Sequence, residues 1–70
     1  MTRAELEDMK KDYIQMIYEE FAQRGLNKEQ SDKIIGKTGF YSAIEKYPEQ
    51  QMHVSIYDAV NELIMIAALK

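Results

Sequence analysis

The chain has 70 residues, a formal net charge of −3, 46% hydrophobic residues and 30% charged residues. This length predicts a single domain over residues 1–70, and the composition is that of a globular chain rather than a disordered one. Cysteine is absent, which excludes disulfides and thiolate chemistry, and the acidic balance argues against a general nucleic-acid binder, which neutralises phosphates with Lys and Arg.

The first predicted element is a long amphipathic helix. Thr2 and Glu5 have the spacing of a capping box, which favours a helix start. Helical spacing then places one broad apolar face opposite a polar one. The apolar face contains Leu6, Met9, Tyr13, Ile14, Met16, Ile17 and Phe21. The helix should end at Arg24, because Gly25 can adopt the left-handed conformation that closes a helix.

Two short helices are predicted in the middle of the chain. Asn27 and Gln30 form a second capping pair, and the helix that they start should run to about Gly36. The apolar spacing within residues 40–47 suits a third helix, which the following proline should stop. Residues 48–54 are expected to be a polar connection.

The last predicted helix starts at Ser55, which forms a capping box with Asp58, and it runs to the C-terminus. Its inner stripe is expected to pack on the first helix and consists of Ile56, Val60, Leu63, Ile64 and Ala67. The sequence contains no alternating strand pattern. It therefore predicts an all-α fold, a small three- or four-helix bundle with long N-terminal and C-terminal helices and two short helices between them.

The outer face of this last helix changes character along its length. Its first two turns have a solvent face of Asp58, Asn61 and Glu62. The same face continues as Met65 and Leu69, with Ile66 at its margin, so the second half is apolar nearly all round. Two interpretations remain open. Either other segments of the same chain cover this end, or it is a surface for self-association or for a protein partner.

A helix-turn-helix is the alternative function, since two short helices lie in a mildly basic stretch that has four lysines and three acids over residues 28–46. In this hypothesis the third helix enters the major groove of DNA. The residues expected near DNA are Lys37, Thr38, Tyr41, Ser42 and Lys46. Packing positions within this helix and the acidic Glu45 argue against it.

Catalytic and metal sites are poorly supported. Glu20 lies within the apolar stripe of the first helix, where it either pairs with Arg24 one turn on or acts as a carboxylate of raised pKa together with His53. No Glu has a histidine three residues later, which disfavours a di-metal bundle, and every serine would need the single His53 as its base.

We therefore predict a non-enzymatic helical interaction or regulatory module without a cofactor. It should self-associate, as a dimer, or dock on another protein through Met65, Ile66 and Leu69. The chain has no signal-peptide pattern at its start and no run of about 18 uninterrupted apolar residues, so we expect a cytoplasmic protein that does not cross a membrane.

Overall fold

A computed structural model describes residues 2–70. Within them the chain forms α-helices and no strand, which confirms the predicted all-α bundle. The helices are α1 (Arg3–Gln23), α2 (Lys28–Thr38), α3 (Phe40–Lys46), α4 (Pro48–Met52) and α5 (Ile56–Leu69). The two longest, α1 and α5, lie at the ends of the chain as predicted.

Three predicted caps start helices. The hydroxyls of Thr2 and Ser55 each accept a hydrogen bond from the backbone N–H three residues on, at 3.1 and 3.2 Å. Asn27 and Gln30 form the complete reciprocal capping box, with distances of 2.8 and 2.9 Å. Since each of these bonds satisfies an N–H that has no partner inside the helix, the helix starts are determined by local sequence.

The end of α1 is a Schellman motif. Gly25 has φ +88°, and its N–H donates to the carbonyl of Ala22 at 3.0 Å. The N–H of Leu26 donates to the carbonyl of Phe21, also at 3.0 Å, and the Leu26 side chain packs against the core. This confirms the predicted end at Arg24, which is the C-cap.

The predicted polar connection over residues 48–54 is wrong, because Pro48–Met52 forms the short helix α4. Tyr47 is non-helical, with φ −133° and ψ 60°, as expected before a proline, so α3 does end there. Pro48 then occupies the first position of a new helix, where the N–H that proline lacks has no intrahelical partner in any case. The proline that stops one helix therefore starts the next.

The second helix is also longer than predicted. Gly36 lies inside α2, which continues to Thr38 and ends at Gly39 in the left-handed conformation with φ +70°. Of the two glycines, only Gly39 has the positive φ that terminates a helix.

One core joins the helices. It consists of Tyr13, Ile17, Phe21, Ile35, Phe40, Ile44, Ala59, Val60 and Leu63. The α5 helix packs on α2 as well as on α1, whereas only α1 was predicted as its partner.

Met9 and Met16 belong to the predicted apolar face of α1, yet they are 43% and 44% exposed. Neighbouring helices cover the middle of that face and leave this edge open.

Lys10 is buried, although a charged side chain is expected at the surface. Its Nζ lies 2.8 Å from the Glu7 carboxylate and 3.2 Å from both carboxylate oxygens of Glu45. The hydrogen bond to Glu7, together with that to Glu45, raises the pKa of Lys10, and the same bond lowers the pKa of Glu7. The lysine thereby ties α1 to α3.

The arrangement of the core predicts that substitutions at two neighbouring positions of α1 have different effects on stability. Ile17 is fully buried, so Ile17→Ala should lower the free energy of unfolding by about 2–5 kcal/mol through lost burial and a residual cavity. Met16→Ala, one position away and exposed, should change it by less than about 0.5 kcal/mol. Urea denaturation followed by circular dichroism measures both. Equal losses would contradict the assignment of the core.

The Glu7 ion pair predicts a pH-dependent contribution to stability. Because the pKa of Glu7 is lowered in the folded chain, the ionised group stabilises the fold above the ordinary carboxyl pKa, and this contribution is lost as the pH falls through the lowered value. Glu7→Gln should be less stable than the parent at pH 7. The difference should begin to shrink near the ordinary carboxyl pKa of about 4.3 and should disappear only once the pH is below the lowered value.

The control for this experiment is Asp12→Asn, which removes an exposed carboxylate of α1 that forms no ion pair within residues 2–70. Denaturation curves measured across the pH range should separate the two variants. The same pH dependence in both would exclude a specific contribution from the Glu7–Lys10 pair.

Candidate interaction surface

The N-terminal half of α5 is held by Arg24 at the end of α1. The guanidinium donates to Glu20 at 2.8 Å, to the side-chain oxygen of Asn61 at 2.6 Å and to the backbone carbonyl of Tyr57 at 3.3 Å. It also lies 4.8 Å from the centre of the Tyr57 ring. The planar guanidinium has several N–H donors and can bond to all of these partners at the same time. These polar contacts fix the first turns of α5 to α1.

This arrangement explains the carboxylate of Glu20. Its Oε2 is paired with Arg24 four residues on, which is the structural interpretation that the sequence offered. Glu20 is absent from the groove that His53 lines, so the structure does not bring these two residues together as a site.

The C-terminal half of α5 has a different environment. Ala67 is buried on the inner side, but Met65 is 58% exposed, Leu69 is 81% exposed and Ile66 is 37% exposed. Within residues 2–70, no segment covers Met65 or Leu69, and Ile66 is partly covered, so the described residues do not enclose this end. We call Met65, Ile66 and Leu69 the α5 patch. Its side chains offer apolar surface without charge, which suits contact with another apolar surface.

The three residues of the patch are not equivalent. Met65 and Leu69 lie one helical turn apart on the outermost face of α5. Ile66 points to the side and lines a shallow concavity together with Thr38 and Phe40, which places it nearer to α2 and α3. Met65 and Leu69 therefore form the centre of the exposed area, as their helical spacing predicted.

A groove between α1 and α2 has a volume of about 460 Å³. Its lining residues are Gln15, Tyr18, Glu19, Ala22, Leu26, Lys28 and Ser31. The short side chain of Ala22 leaves room between longer neighbours. No local sequence pattern indicated this groove, since its shape depends on how α1 and α2 pack against each other.

The residues of the DNA-binding alternative are only partly available. Lys37, Ser42 and Lys46 are exposed. The Thr38 hydroxyl donates to the backbone carbonyl of Ile35 at 3.0 Å, and the Tyr41 hydroxyl lies 3.0 Å from that of Tyr18. Tyr41 is itself exposed, so the structure limits this alternative mainly by engaging the hydroxyls of Thr38 and Tyr41 within the protein.

The helix proposed to enter DNA is also short and committed to packing. The α3 helix has seven residues, of which Phe40 and Ile44 are buried in the core. Glu45, on the same helix, binds Lys10 of α1. A helix with these contacts presents little free surface to a major groove.

A cluster of hydroxyl groups joins α1, α2 and α3. The Tyr18 hydroxyl donates to Asp32 and also contacts the hydroxyl of Tyr41. Burial and these hydrogen bonds raise the pKa of Tyr18, because they disfavour the tyrosinate. The three residues are far apart in sequence, so no local pattern indicated the cluster.

The described residues contain no group of three or more His, Cys, Asp or Glu side chains placed to hold a metal ion. Among residues 2–70, no helix combines the length and the apolar character needed to cross a membrane.

No protein-family model matches the chain, and comparisons with curated proteins and with solved structures give no match. Its function must therefore be inferred from its own geometry.

The Arg24 contacts predict that lysine cannot replace this arginine. Arg24→Lys keeps the charge but loses the fork that reaches Glu20 and Asn61 together, so it should lower the free energy of unfolding by about 1 kcal/mol. Arg3→Lys, which changes the other arginine of the chain at an exposed position, should have almost no effect. Urea denaturation measures both variants. An Arg24→Lys protein as stable as the parent would show that a single charge is sufficient.

Proposed function

We propose that this protein is a non-enzymatic helical interaction module that forms a homodimer through the C-terminal half of α5. The observation that carries the proposal is the exposure of Met65 and Leu69, one turn apart on a helix whose first half is already fixed by Arg24. As part of the same proposal, we place this module in the cytoplasm.

The contrast within α5 supports an interface at its second half. The outer face of the first half has Asp58 and Asn61, which are suited to water, whereas the outer face of the second half has Met65 and Leu69. Burying an exposed Met or Leu side chain contributes about 1.5–3 kcal/mol. Four such side chains, two from each copy, would supply a substantial part of the free energy needed for association.

A second copy is the partner that fits this surface most simply. In a twofold dimer, the same patch serves both subunits, so an apolar patch meets an apolar patch without a separate complementary site. A stable interface buries about 800 Å² on each partner, which is roughly a sixth of the 4984 Å² surface of this chain. The contact would therefore extend beyond the three residues of the α5 patch.

Small size also favours association. A domain of 70 residues buries a smaller fraction of its surface than a larger one, so the additional apolar burial in a dimer adds usefully to its stability.

The test is the oligomeric state of variants of the patch. The parent should behave as a dimer in light scattering coupled to size-exclusion chromatography. Combining Met65→Glu with Leu69→Glu should shift it to a folded monomer. The double variant removes four buried apolar side chains from a twofold dimer, and at about tenfold for each the dimer affinity should fall by at least about ten-thousandfold. Met16→Glu, which alters an exposed methionine on α1, should remain dimeric.

Two results would overturn the proposal. The first is a parent chain that remains monomeric at high concentration, and the second is a double variant that loses its helical circular dichroism, which would show that the patch stabilises the monomer. A DNA-binding regulator would instead bind duplex DNA with an affinity that falls steeply with salt and that depends on Lys37 and Lys46. An interaction module should show no such binding.

A further inference from the structure

A second groove lies between α1 and α4, apart from the α5 patch. It has a volume of about 230 Å³ and is lined by Leu6, Met9, Glu49, Met52 and His53. We call it the α1/α4 groove. It brings two thioethers and the only imidazole of the chain to one concave surface.

The short helix α4 creates this arrangement. The backbone N–H of His53 donates to the carbonyl of Glu49 at 3.2 Å, which is the hydrogen bond of a continuing helical turn. Glu49 and His53 are therefore stacked on one face, and Met52 beside them packs against the edge of the core. Met9 reaches the same groove from α1.

Two of the three proposed donor side chains are exposed to solvent. Met9 is 43% exposed, so its thioether is not committed to core packing. His53 is exposed, and among residues 2–70 its imidazole takes part in no hydrogen bond or ion pair. Met52, which is half-buried against the edge of the core, lines the same groove, so two methionines and one histidine border a space that is open to solvent.

The chemistry of these donors selects the ion. Thioethers are soft ligands that favour Cu(I), and imidazole also binds copper. Zinc is bound by thiolates, imidazoles and carboxylates, and this groove has only His53 and Glu49 of those types, fewer than the three protein ligands of a usual zinc site. We propose that the α1/α4 groove binds one Cu(I) ion through the thioethers of Met9 and Met52 and the imidazole of His53.

The experiment is an anaerobic titration of the full chain with Cu(I), in competition with a chromogenic Cu(I) chelator. The parent should take up one Cu(I) per chain. Met9→Leu, Met52→Leu and His53→Gln should each reduce the affinity by tenfold or more. The Met→Leu changes nearly conserve volume, and circular dichroism will verify that each variant is folded.

The controls separate this site from the other methionines. Met16→Leu and Met65→Leu alter accessible thioethers outside the groove and should bind Cu(I) as the parent does. The Glu49→Gln variant should also bind normally, because this carboxylate is not one of the proposed ligands. Ag(I), which is also soft and does not change oxidation state, should compete for the site, whereas Zn(II) should not.

The inference does not depend on self-association, and the protein combining Met65→Glu with Leu69→Glu should retain the site. The absence of stoichiometric Cu(I) binding by the parent would overturn it. An affinity unchanged in a folded Met9→Leu, Met52→Leu or His53→Gln protein would overturn the assigned ligand set, as would an equal loss in Met16→Leu.

Discussion

The structure depends on the burial of one side of α1. Tyr13, Ile17 and Phe21 lie along this side, and the last two are inaccessible to solvent. The other helices pack around this line, with α2 and α5 supplying Ile35 and Val60. A chain of this length can complete only one such core. Any apolar surface beyond the reach of that core must remain exposed, and the second half of α5 is the clearest case.

Polar contacts determine how the helices are placed around this core. Lys10 connects α1 to α3 through Glu45, and Arg24 connects the other end of α1 to α5 through Asn61 and Tyr57. The Tyr13 hydroxyl adds a third connection by donating to the carbonyl of Val54 at 2.8 Å, just before α5. In each connection a long polar side chain finds hydrogen-bond partners at a partly buried position. An unpaired polar group there would lower the stability of the fold.

The two proposed functions, self-association and metal binding, depend on two different surfaces that the helix packing leaves exposed. The α5 patch is apolar and offers no specific donor, which suits association with another apolar surface. The α1/α4 groove brings soft donors from two helices together, one of them on a methionine at the edge of the core, which suits a metal ion rather than a protein. Since the two surfaces share no residue, a substitution in one tests that surface without altering the other.

The helix starts and the character of α5 could be predicted from the sequence, because both depend on local chemistry. A capping residue bonds to an amide only three positions away, and apolar spacing places Met65 and Leu69 on the same outer face wherever the helix packs. The pairing of Glu20 with Arg24 was predictable for the same reason, since one helical turn separates them.

Interactions between distant segments could not be predicted in this way. Lys10 is seven residues before Ile17, so helical spacing places it on the buried side. Glu7, one turn away, and Glu45, which arrives from α3, together pair with this buried lysine, and only the Glu7 contact is local. Met9 and Met16 fit the apolar pattern of α1 equally well, yet the position of α4 decides that only Met9 lines a groove. Local sequence thus determined the helices and their faces. Tertiary structure decided which faces are covered and which side chains meet, because that depends on how distant helices pack.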